Sequence, residues 1–270
     1  MKELKTRTIS AIIFATIMIG GILWNQWSFL LLVLLINGFT LFEFYRLFEK
    51  HKKNIISKIT VIIFSTAMLL SVSLAVFNVF PKAYLFFIPL VIFLWAIELI
   101  REKKLFSSNQ KITFFGLLYI SVPMSLFLLI AIIDGNYATI FLLSALIFTW
   151  VNDSFAYFTG SLIGKHKFVP SISPKKTWEG IIGGVVFTVI SSLIFYKIYP
   201  ELGINNWLII SLIISVSSIV GDLFESKLKR KLEVKDSGNI MPGHGGFLDR
   251  FDALLFVIPF YTIYLLIFVF

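Results

Sequence analysis

The amino-acid sequence predicts an all-α polytopic membrane protein with about nine transmembrane helices. Of its 270 residues, 58% are hydrophobic and 14% are charged, whereas a soluble domain carries roughly 25% charged residues. The apolar residues form long runs, and a helix needs about 17–25 such residues to cross a bilayer. These runs do not alternate polar and apolar residues as the strands of a membrane β-barrel do, so we expect helices.

Nine apolar runs are long enough to span a membrane. The first follows a basic N-terminus without a small-residue cleavage site, so we expect it to be retained as a helix. In chain order the runs are Thr8–Trp24, Trp27–Tyr45, Ile59–Phe80, Ala83–Ile100, Ile112–Ile133, Ala138–Gly160, Trp178–Ile198, Trp207–Glu225 and Phe247–Phe270.

The distribution of Lys and Arg predicts the orientation of these helices. If the N-terminus is inside, 22 of the 24 Lys and Arg residues lie in five inner segments, and only Lys82 and Lys197 lie outside. Because basic residues favour the cytoplasmic side, we expect an inner-membrane protein with its N-terminus inside and its C-terminus outside. The net charge of +9 is therefore spread over short loops, which argues against binding of nucleic acid.

The chain is predicted to divide by function near residue 111. Residues 1–111 contain ordinary helices with short basic connections, and we expect them to support the protein and to provide subunit contacts. Residues 112–270 contain two longer inner loops, 165–177 and 227–246, and most of the polar residues inside spans. We expect catalysis in this second region.

Acidic residues inside the spans predict a site at the inner face. Such side chains are costly in hydrocarbon and need a partner, a cation or a water-filled cavity. The predicted topology places five of them at the inner ends of their helices, namely Asp153, Asp222, Glu225, Asp249 and Asp252. The sequence has no Cys, and oxygen ligands favour Mg²⁺-like ions over zinc. We therefore predict a divalent cation and a polyanionic substrate.

Two segments beside these carboxylates predict phosphate binding. The run Gly243–Gly246 leads into the ninth helix, and the run Ser173–Thr177 leads into the seventh. Glycines let backbone N–H groups approach an anion, and helix N-termini favour negative charge. Further positive charge at the same face comes from Lys229, Arg230 and Lys235.

The stretch from Ser226 to Asp252 resembles the signature of the phosphatidate cytidylyltransferases, also called CDP-diacylglycerol synthases. The upstream run SPKKTWEG at 173–180, preceded by Asn152-Asp153-Ser154, also resembles this family. One departure is Met241, where the family usually has Leu, Ile or Phe, and this is a conservative apolar change. The matching positions are Ser226, Lys229, Arg230, Lys235, Asp236, Gly238, Pro242, His244, Gly245, Gly246, Asp249, Arg250 and Asp252.

The resemblance implies that CTP and phosphatidate react to give CDP-diacylglycerol and pyrophosphate, with Mg²⁺ as the required cation. It implies Asp222 and Asp249 as leading ligands of one or two cations, with Asp153 and Asp252 as further ligands. It also implies a homodimer. The catalytic residues would be Asp222, Asp249, Lys229 and Arg250, and the phosphate- and nucleotide-binding residues would be Ser173, Lys175, Lys176, Thr177, Ser226, Arg230, Lys235, His244, Gly245 and Gly246.

Simpler interpretations of single residues remain open. Asp222 and Asp249 could form buried ion pairs with Arg250 or Lys229, and His244 could be an ordinary loop residue. Glu43 and Glu98 are expected to pair with nearby basic side chains, and Gly183 and Gly184 are expected to permit close helix packing.

Two other functions remain open for the whole chain. A CTP-dependent lipid kinase of the dolichol-kinase type could share the metal and phosphate sites. A transporter is the second alternative, but its acidic residues would be expected near the membrane midplane. Here they lie at one end of the helices.

Overall fold

The computed structural model describes most of the chain as helix, with one short β-hairpin. The described residues are 2–49, 58–80, 108–238, 240 and 245–270. Side chains are described for all of them except 2–7, 58 and 108–110.

The chain divides into two compact units. The first consists of Met1–Tyr137 with Asp236–Asp249, and the second consists of Ala138–Lys235 with Arg250–Phe270. The predicted functional division near residue 111 is not tested by this arrangement and stays a prediction.

Helices α1 to α5 belong to the first unit. Asn25 separates the first two helices, and its side-chain oxygen accepts hydrogen bonds from the backbone N–H groups of Trp27 and Ser28 at 2.9 Å, as an N-cap residue does. A π-helical turn at Leu117–Ser121 precedes Pro123, which cannot donate a backbone hydrogen bond to the preceding turn. The helices are α1 (Lys2–Trp24), α2 (Gln26–Glu49), α3 (Lys58–Val76), α4 (Ser108–Gly116) and α5 (Val122–Ile130).

Buried polar side chains join the helices of the first unit. Asn37 on α2 donates to the hydroxyl of Ser65 on α3 at 2.7 Å, and Ser65 shares a 2.6 Å hydrogen bond with Ser121 in the π-helical turn. Such bonds between helices are a common means of association in membranes. Glu43 is also buried, but its partners among the described residues are not the expected basic side chains: it accepts hydrogen bonds from Ser237 and Leu248. Glu98 lies outside the described residues.

Helices α6 to α8, most of α9 and a β-hairpin form the second unit. The sequence analysis did not predict the hairpin, which lies inside the predicted loop 165–177 and pairs two antiparallel strands. The elements are α6 (Thr139–Ile163), β1 (Lys167–Val169), β2 (Ser173–Thr177), α7 (Trp178–Ile198), a 3₁₀ turn (Pro200–Leu202), α8 (Ile204–Lys231) and α9 (Leu248–Phe268).

Glycines allow α6 and α7 to pack closely. A Cβ atom on Gly180 would lie 2.7 Å from the carbonyl oxygen of Ala156, and one on Gly184 would lie 2.7 Å from that of Asn152. A Cβ on Gly183 would overlap the side chain of Thr159. These contacts confirm that the glycine pair permits close helix packing, which places Asn152 and Asp153 against α7.

Seven helical segments of the described chain are long and apolar enough to cross a membrane. They match seven of the nine predicted spans, with α4, the π-helical turn and α5 forming one span at Lys111–Ile130. The first predicted span, Thr8–Trp24, is a shorter apolar helix, and Ala83–Ile100 lies outside the described residues. The protein is thus an all-α polytopic membrane protein, while the count of nine spans and the orientation stay predictions.

Candidate active site

The polar face of α8 is the centre of the candidate site in the second unit. Ser211, Ser215, Ser218 and Asp222 follow one another at intervals of three or four residues, which places them on one side of a helix. The three serines are buried, whereas the side chain of Asp222 is 36% exposed. Asp222 is therefore the accessible end of a polar stripe, and its carboxylate also accepts a 3.1 Å hydrogen bond from Ser226.

Strand β2 brings a lysine to this carboxylate. The Nζ atom of Lys176 lies 2.6 Å from Oδ2 of Asp222. Because side chains alternate across a strand, the adjacent Lys175 points away and is exposed. The hairpin thus separates two lysines that the sequence analysis treated alike. It joins the SPKKTWEG segment to Asp222, which lies four residues before Ser226.

Asp153 on α6 lies beside the same stripe. Its Oδ1 atom accepts a hydrogen bond from the hydroxyl of Ser218 at 3.1 Å. The neighbouring Asn152 is buried and lies 3.4 Å from the same hydroxyl. Ser218 therefore positions Asp153, and the sequence analysis missed it although the repeat of serines along α8 was a signal that could have identified it.

Asp252 on α9 completes a group of three carboxylates. The negative charges of Asp153, Asp222 and Asp252 lie close enough to repel one another. Helices α8 and α9 approach closely here, since a Cβ atom on Gly221 would lie 2.7 Å from the carbonyl oxygen of Asp252. The C-terminal parts of α6 and α8 and the first turns of α9 thus bring three predicted site residues to one end of the second unit.

Lys229 pairs with Glu225, an acidic residue that the sequence analysis placed at the inner face without giving it a role. The Nζ atom of Lys229 lies 2.6 Å from the carboxylate of Glu225, one turn earlier on α8, and Glu225 is only 1% exposed. Lys229 and Arg230 lie on α8 itself, because the helix continues to Lys231 instead of ending at Glu225. Lys229 also interacts electrostatically with Asp252 on α9.

The donor atoms of this group suit a hard divalent cation. Carboxylate and hydroxyl oxygens are the ligands that Mg²⁺ prefers. A nearby positive charge would stabilise the three carboxylates, because they repel one another. The side chains do not converge on one point, however: the described ranges contain no group of three or more His, Cys, Asp or Glu residues that could hold a metal ion as they stand. Lys176 occupies one oxygen of Asp222 instead.

Asp249 belongs to the first unit, where its carboxylate accepts hydrogen bonds from backbone N–H groups. Both of its carboxylate oxygens accept from the backbone N–H of Ser237, at 3.1 and 3.2 Å, and Oδ2 also accepts from Gly246 at 2.9 Å. The bond to Gly246, three residues earlier, resembles one half of a capping box at the start of α9. The predicted role of Asp249 as a metal ligand is not tested by these bonds and stays a prediction.

Asp222 forms an ion pair with a lysine that the sequence analysis did not consider for it. Asp222 pairs with Lys176, whereas Lys229 pairs with Glu225. The alternative pairing of Asp222 or Asp249 with Arg250 or Lys229 is not tested by these contacts.

The remaining predicted phosphate ligands have varied surroundings. Gly245 has a φ of +84°, a conformation that glycine adopts readily, and Gly246 is buried. Ser173 is partly exposed at the start of β2. His244 lies outside the described residues. Three basic side chains of the predicted site are exposed, namely Arg230, Lys235 and Arg250.

Glu179 joins the start of the hairpin to α7. The sequence analysis did not identify this residue. Its carboxylate accepts from the backbone N–H groups of Lys165 and His166, at 3.1 and 3.2 Å, and contacts Nδ1 of His166 at 2.6 Å. Since Glu179 lies in the first turn of α7, it joins both ends of the segment that carries Lys176.

Thr177 has a structural role as the N-cap of α7. Its hydroxyl accepts from the backbone N–H of Gly180 at 3.2 Å, and the residue is 4% exposed. We expect Thr177→Val to lower the free energy of unfolding by about 1 kcal/mol, because an N-terminal N–H loses its acceptor. Thermal unfolding in detergent measures this change. The matched control is Thr16→Val, whose hydroxyl only donates to Ile12 within exposed α1; an equal loss in both variants would contradict the capping role.

Comparison with known proteins identifies relatives over nearly the whole chain. Residues 5–268 match the model of the cytidylyltransferase family. The phosphatidate cytidylyltransferase of Bacillus subtilis (strain 168) is 34% identical over 273 residues, which cover 96% of this chain and 97% of the relative.

Staphylococcal relatives match over a shorter region. The phosphatidate cytidylyltransferase of Staphylococcus saprophyticus is 47% identical over 128 residues, and the one of Staphylococcus aureus (strain COL) is 44% identical over 128 residues. In both cases the match spans about half of the relative, 49% of its length.

Proposed function

Because this chain belongs to the cytidylyltransferase family, we propose that it converts CTP and phosphatidate to CDP-diacylglycerol and pyrophosphate in phospholipid biosynthesis. The observation that carries this proposal is the 2.6 Å contact between Lys176 and Asp222. It joins two segments that are distant in sequence, one rich in cations that bind phosphate and one rich in carboxylates.

The proposed reaction is an attack of lipid phosphate on nucleotide phosphate. An oxygen of the phosphatidate phosphate forms a bond to the α-phosphorus of CTP. The bond from this phosphorus to the oxygen that bridges to the β-phosphate breaks, and pyrophosphate leaves with the electron pair. A phosphate dianion is already a nucleophile near neutral pH, so the protein mainly has to position the reactants and neutralise their charge.

Lys176 and Lys229 are the cations best placed for this task. Each is held by a carboxylate at 2.6 Å, and their side chains are 23% and 13% exposed. A lysine that is held by an ion pair has lost much of its side-chain freedom, so it can meet a phosphate at a smaller entropic cost. The exposed Lys175, Arg230 and Arg250 would add attraction for the triphosphate from a greater distance.

Mg²⁺ is the cofactor that this donor set fits. Asp222, Asp153 and Asp252 would hold it, together with Asp249, and a second cation could be bound by the same carboxylates. Bound Mg²⁺ neutralises phosphate charge during nucleotidyl transfer. The support for this assignment is the mutual repulsion of three carboxylates, whose oxygens are the donor atoms that Mg²⁺ prefers.

We propose that the site faces the cytoplasm from the inner membrane. The support is the distribution of Lys and Arg along the chain, which favours the cytoplasmic side for the loops that carry them. In the predicted topology, Lys82 and Lys197 are the two basic residues outside. In this orientation CTP arrives from the cytoplasm, and phosphatidate lies in the adjacent leaflet with its phosphate at the depth of the carboxylates. Basic loops on the same side attract anionic lipid. The homodimer stays a prediction.

The proposal is tested by incubating the purified protein in detergent with labelled CTP, phosphatidate and Mg²⁺. We expect labelled CDP-diacylglycerol and an equal amount of pyrophosphate. A preparation of Asp222→Asn, purified identically, shows that the product does not come from a contaminating enzyme. CDP with a newly phosphorylated lipid would support a lipid kinase instead, and absence of any turnover would favour a transporter.

A further inference from the structure

Glu43 on α2 is a buried carboxylate that the proposed reaction does not use. It is 0% exposed, and its Oε2 atom accepts hydrogen bonds from the hydroxyl of Ser237 at 2.9 Å and from the backbone N–H of Leu248 at 2.8 Å. Leu248 is the first residue of α9, so Glu43 places a carboxylate at the N-terminus of that helix, where negative charge is favourable. All of these residues belong to the first unit.

Ser237 is shared between Glu43 and Asp249. Glu43 accepts from its hydroxyl, and Asp249 accepts from its backbone N–H. Asp249 also accepts from the backbone N–H of Gly246. The two carboxylates therefore hold Ser237 against the segment Gly245–Asp249, and a change at Glu43 is transmitted to Asp249 through Ser237 and Leu248.

Two glycines of the motif leave room for the carboxylate of Glu43. A Cβ atom on Gly238 would overlap Oε1 of Glu43. A Cβ atom on Gly246 would lie 2.6 Å from Oε2 of Glu43 and would overlap the hydroxyl of Ser237. Close approach to Glu43 is thus a reason for glycine at both positions, independent of phosphate binding.

We propose that Glu43 is a positioning residue, which sets Ser237 and the segment Gly245–Asp249 and thereby the carboxylate of Asp249. The role in catalysis rests on the proposed function, whereas the effect on the segment does not. Glu43 acts through Ser237 and Leu248 and is not a catalytic residue. The two hydrogen bonds to its Oε2 atom, from Ser237 and from Leu248, are the contacts through which it acts.

The kinetic test uses Glu43→Gln, which keeps the size of the side chain and removes its charge. Because hydrogen bonds to a charged group are the stronger ones, we expect kcat to fall about tenfold, with KM for CTP and phosphatidate unchanged. Ser237→Ala is expected to act in the same direction. Since both changes break one linked contact, the double variant should be no slower than the slower single variant. Additive losses, or a wild-type kcat, would overturn the proposal.

A second measurement does not depend on turnover. The protein has no Cys, and Leu248 is 0% exposed, so Leu248→Cys supplies a single shielded thiol and leaves the backbone N–H that donates to Glu43 in place. We expect maleimide to label this thiol about tenfold faster when Glu43→Gln is added. The exposed Glu201→Gln is the matched control and should leave the rate unchanged.

The two measurements separate the positioning role from the proposed function. Faster labelling in a protein whose wild type makes no CDP-diacylglycerol would overturn the function and keep the effect of Glu43 on the segment. An active wild type with an unchanged labelling rate in the Glu43→Gln background would overturn the role of Glu43 and leave the function standing.

Discussion

Replacement of Asp222 by Asn is expected to lower kcat by about 10²–10³-fold, the loss typical for removal of one preorganised electrostatic group. Asp222 contacts Lys176 and Ser226 and repels Asp153 and Asp252, so it links the hairpin to the other carboxylates of the second unit. The Asn side chain keeps the shape and can still accept from Ser226. It removes the charge that orients Lys176 and that would contribute to binding of Mg²⁺.

The alternative role for Asp222 is a purely structural ion pair, and a comparison with Lys176→Gln separates the two. A structural pair loses stability when either partner changes and regains part of it when both change. We expect instead that the double variant Asp222→Asn/Lys176→Gln stays inactive, while its unfolding temperature in detergent remains near that of the wild type. Recovery of turnover in the double variant would reject the catalytic assignment. Glu201→Gln, in an exposed turn, serves as the control for loss of a carboxylate.

A single methyl group at Gly221 is expected to lower both stability and turnover. The Cβ atom of Gly221→Ala would lie 2.7 Å from the carbonyl oxygen of Asp252 and 3.0 Å from Cα of Ala253. These are backbone atoms, so relief requires α8 and α9 to move apart, at a cost of about 1–3 kcal/mol. The movement would separate Asp222 from Asp252, and a misplacement of about 1 Å can lower turnover by roughly 10²-fold.

Gly38→Ala is the matched control for this change. Gly38 lies within α2, and a Cβ atom there would have no neighbour within 4 Å. Because alanine favours a helix over glycine by up to about 1 kcal/mol, we expect Gly38→Ala to keep or raise the unfolding temperature. Thermal unfolding and the CTP assay, performed on both variants, give the comparison. If Gly221→Ala behaved like Gly38→Ala, the close approach of α8 and α9 would not limit the site.

Serine hydroxyls are important in both units because they join carboxylates to their surroundings. Ser218 donates to Asp153, Ser226 donates to Asp222, and Ser237 donates to Glu43. A hydroxyl is small, and it stabilises a carboxylate without neutralising it. In each unit the carboxylates are thus oriented while their charge remains available, which is the property that cation or phosphate chemistry requires.

Much of the fold was predictable from local sequence. The runs from Trp27 onwards have the length and hydropathy of spanning helices, and seven of them correspond to helices of the structure. The reason is that hydrocarbon leaves the backbone few alternatives to internal hydrogen bonding. The β-hairpin was not predictable in the same way, because a strand of five residues such as Ser173–Thr177 carries little periodic signal.

The candidate site was predictable as a set of residues but not as a set of contacts. Asp153, Asp222 and Asp252 were identified because charge inside a membrane span needs an explanation. The sequence analysis placed Glu225 at the inner face without naming a partner, and the structure pairs it with Lys229. Glu43 was expected to pair with a nearby basic side chain, but its partners among the described residues are Ser237 and Leu248.

The sequence by itself determined that this protein is a membrane-embedded member of its family, because long apolar runs and a dense motif are properties of local order along the chain. Only the tertiary structure decided which partner each charged group takes. Strand alternation selects Lys176 over Lys175 for Asp222, and a helix about 200 residues upstream in the chain supplies the carboxylate that holds Ser237. Such choices depend on distances in space, and no spacing in the sequence encodes a contact between residues as far apart as Glu43 and Ser237.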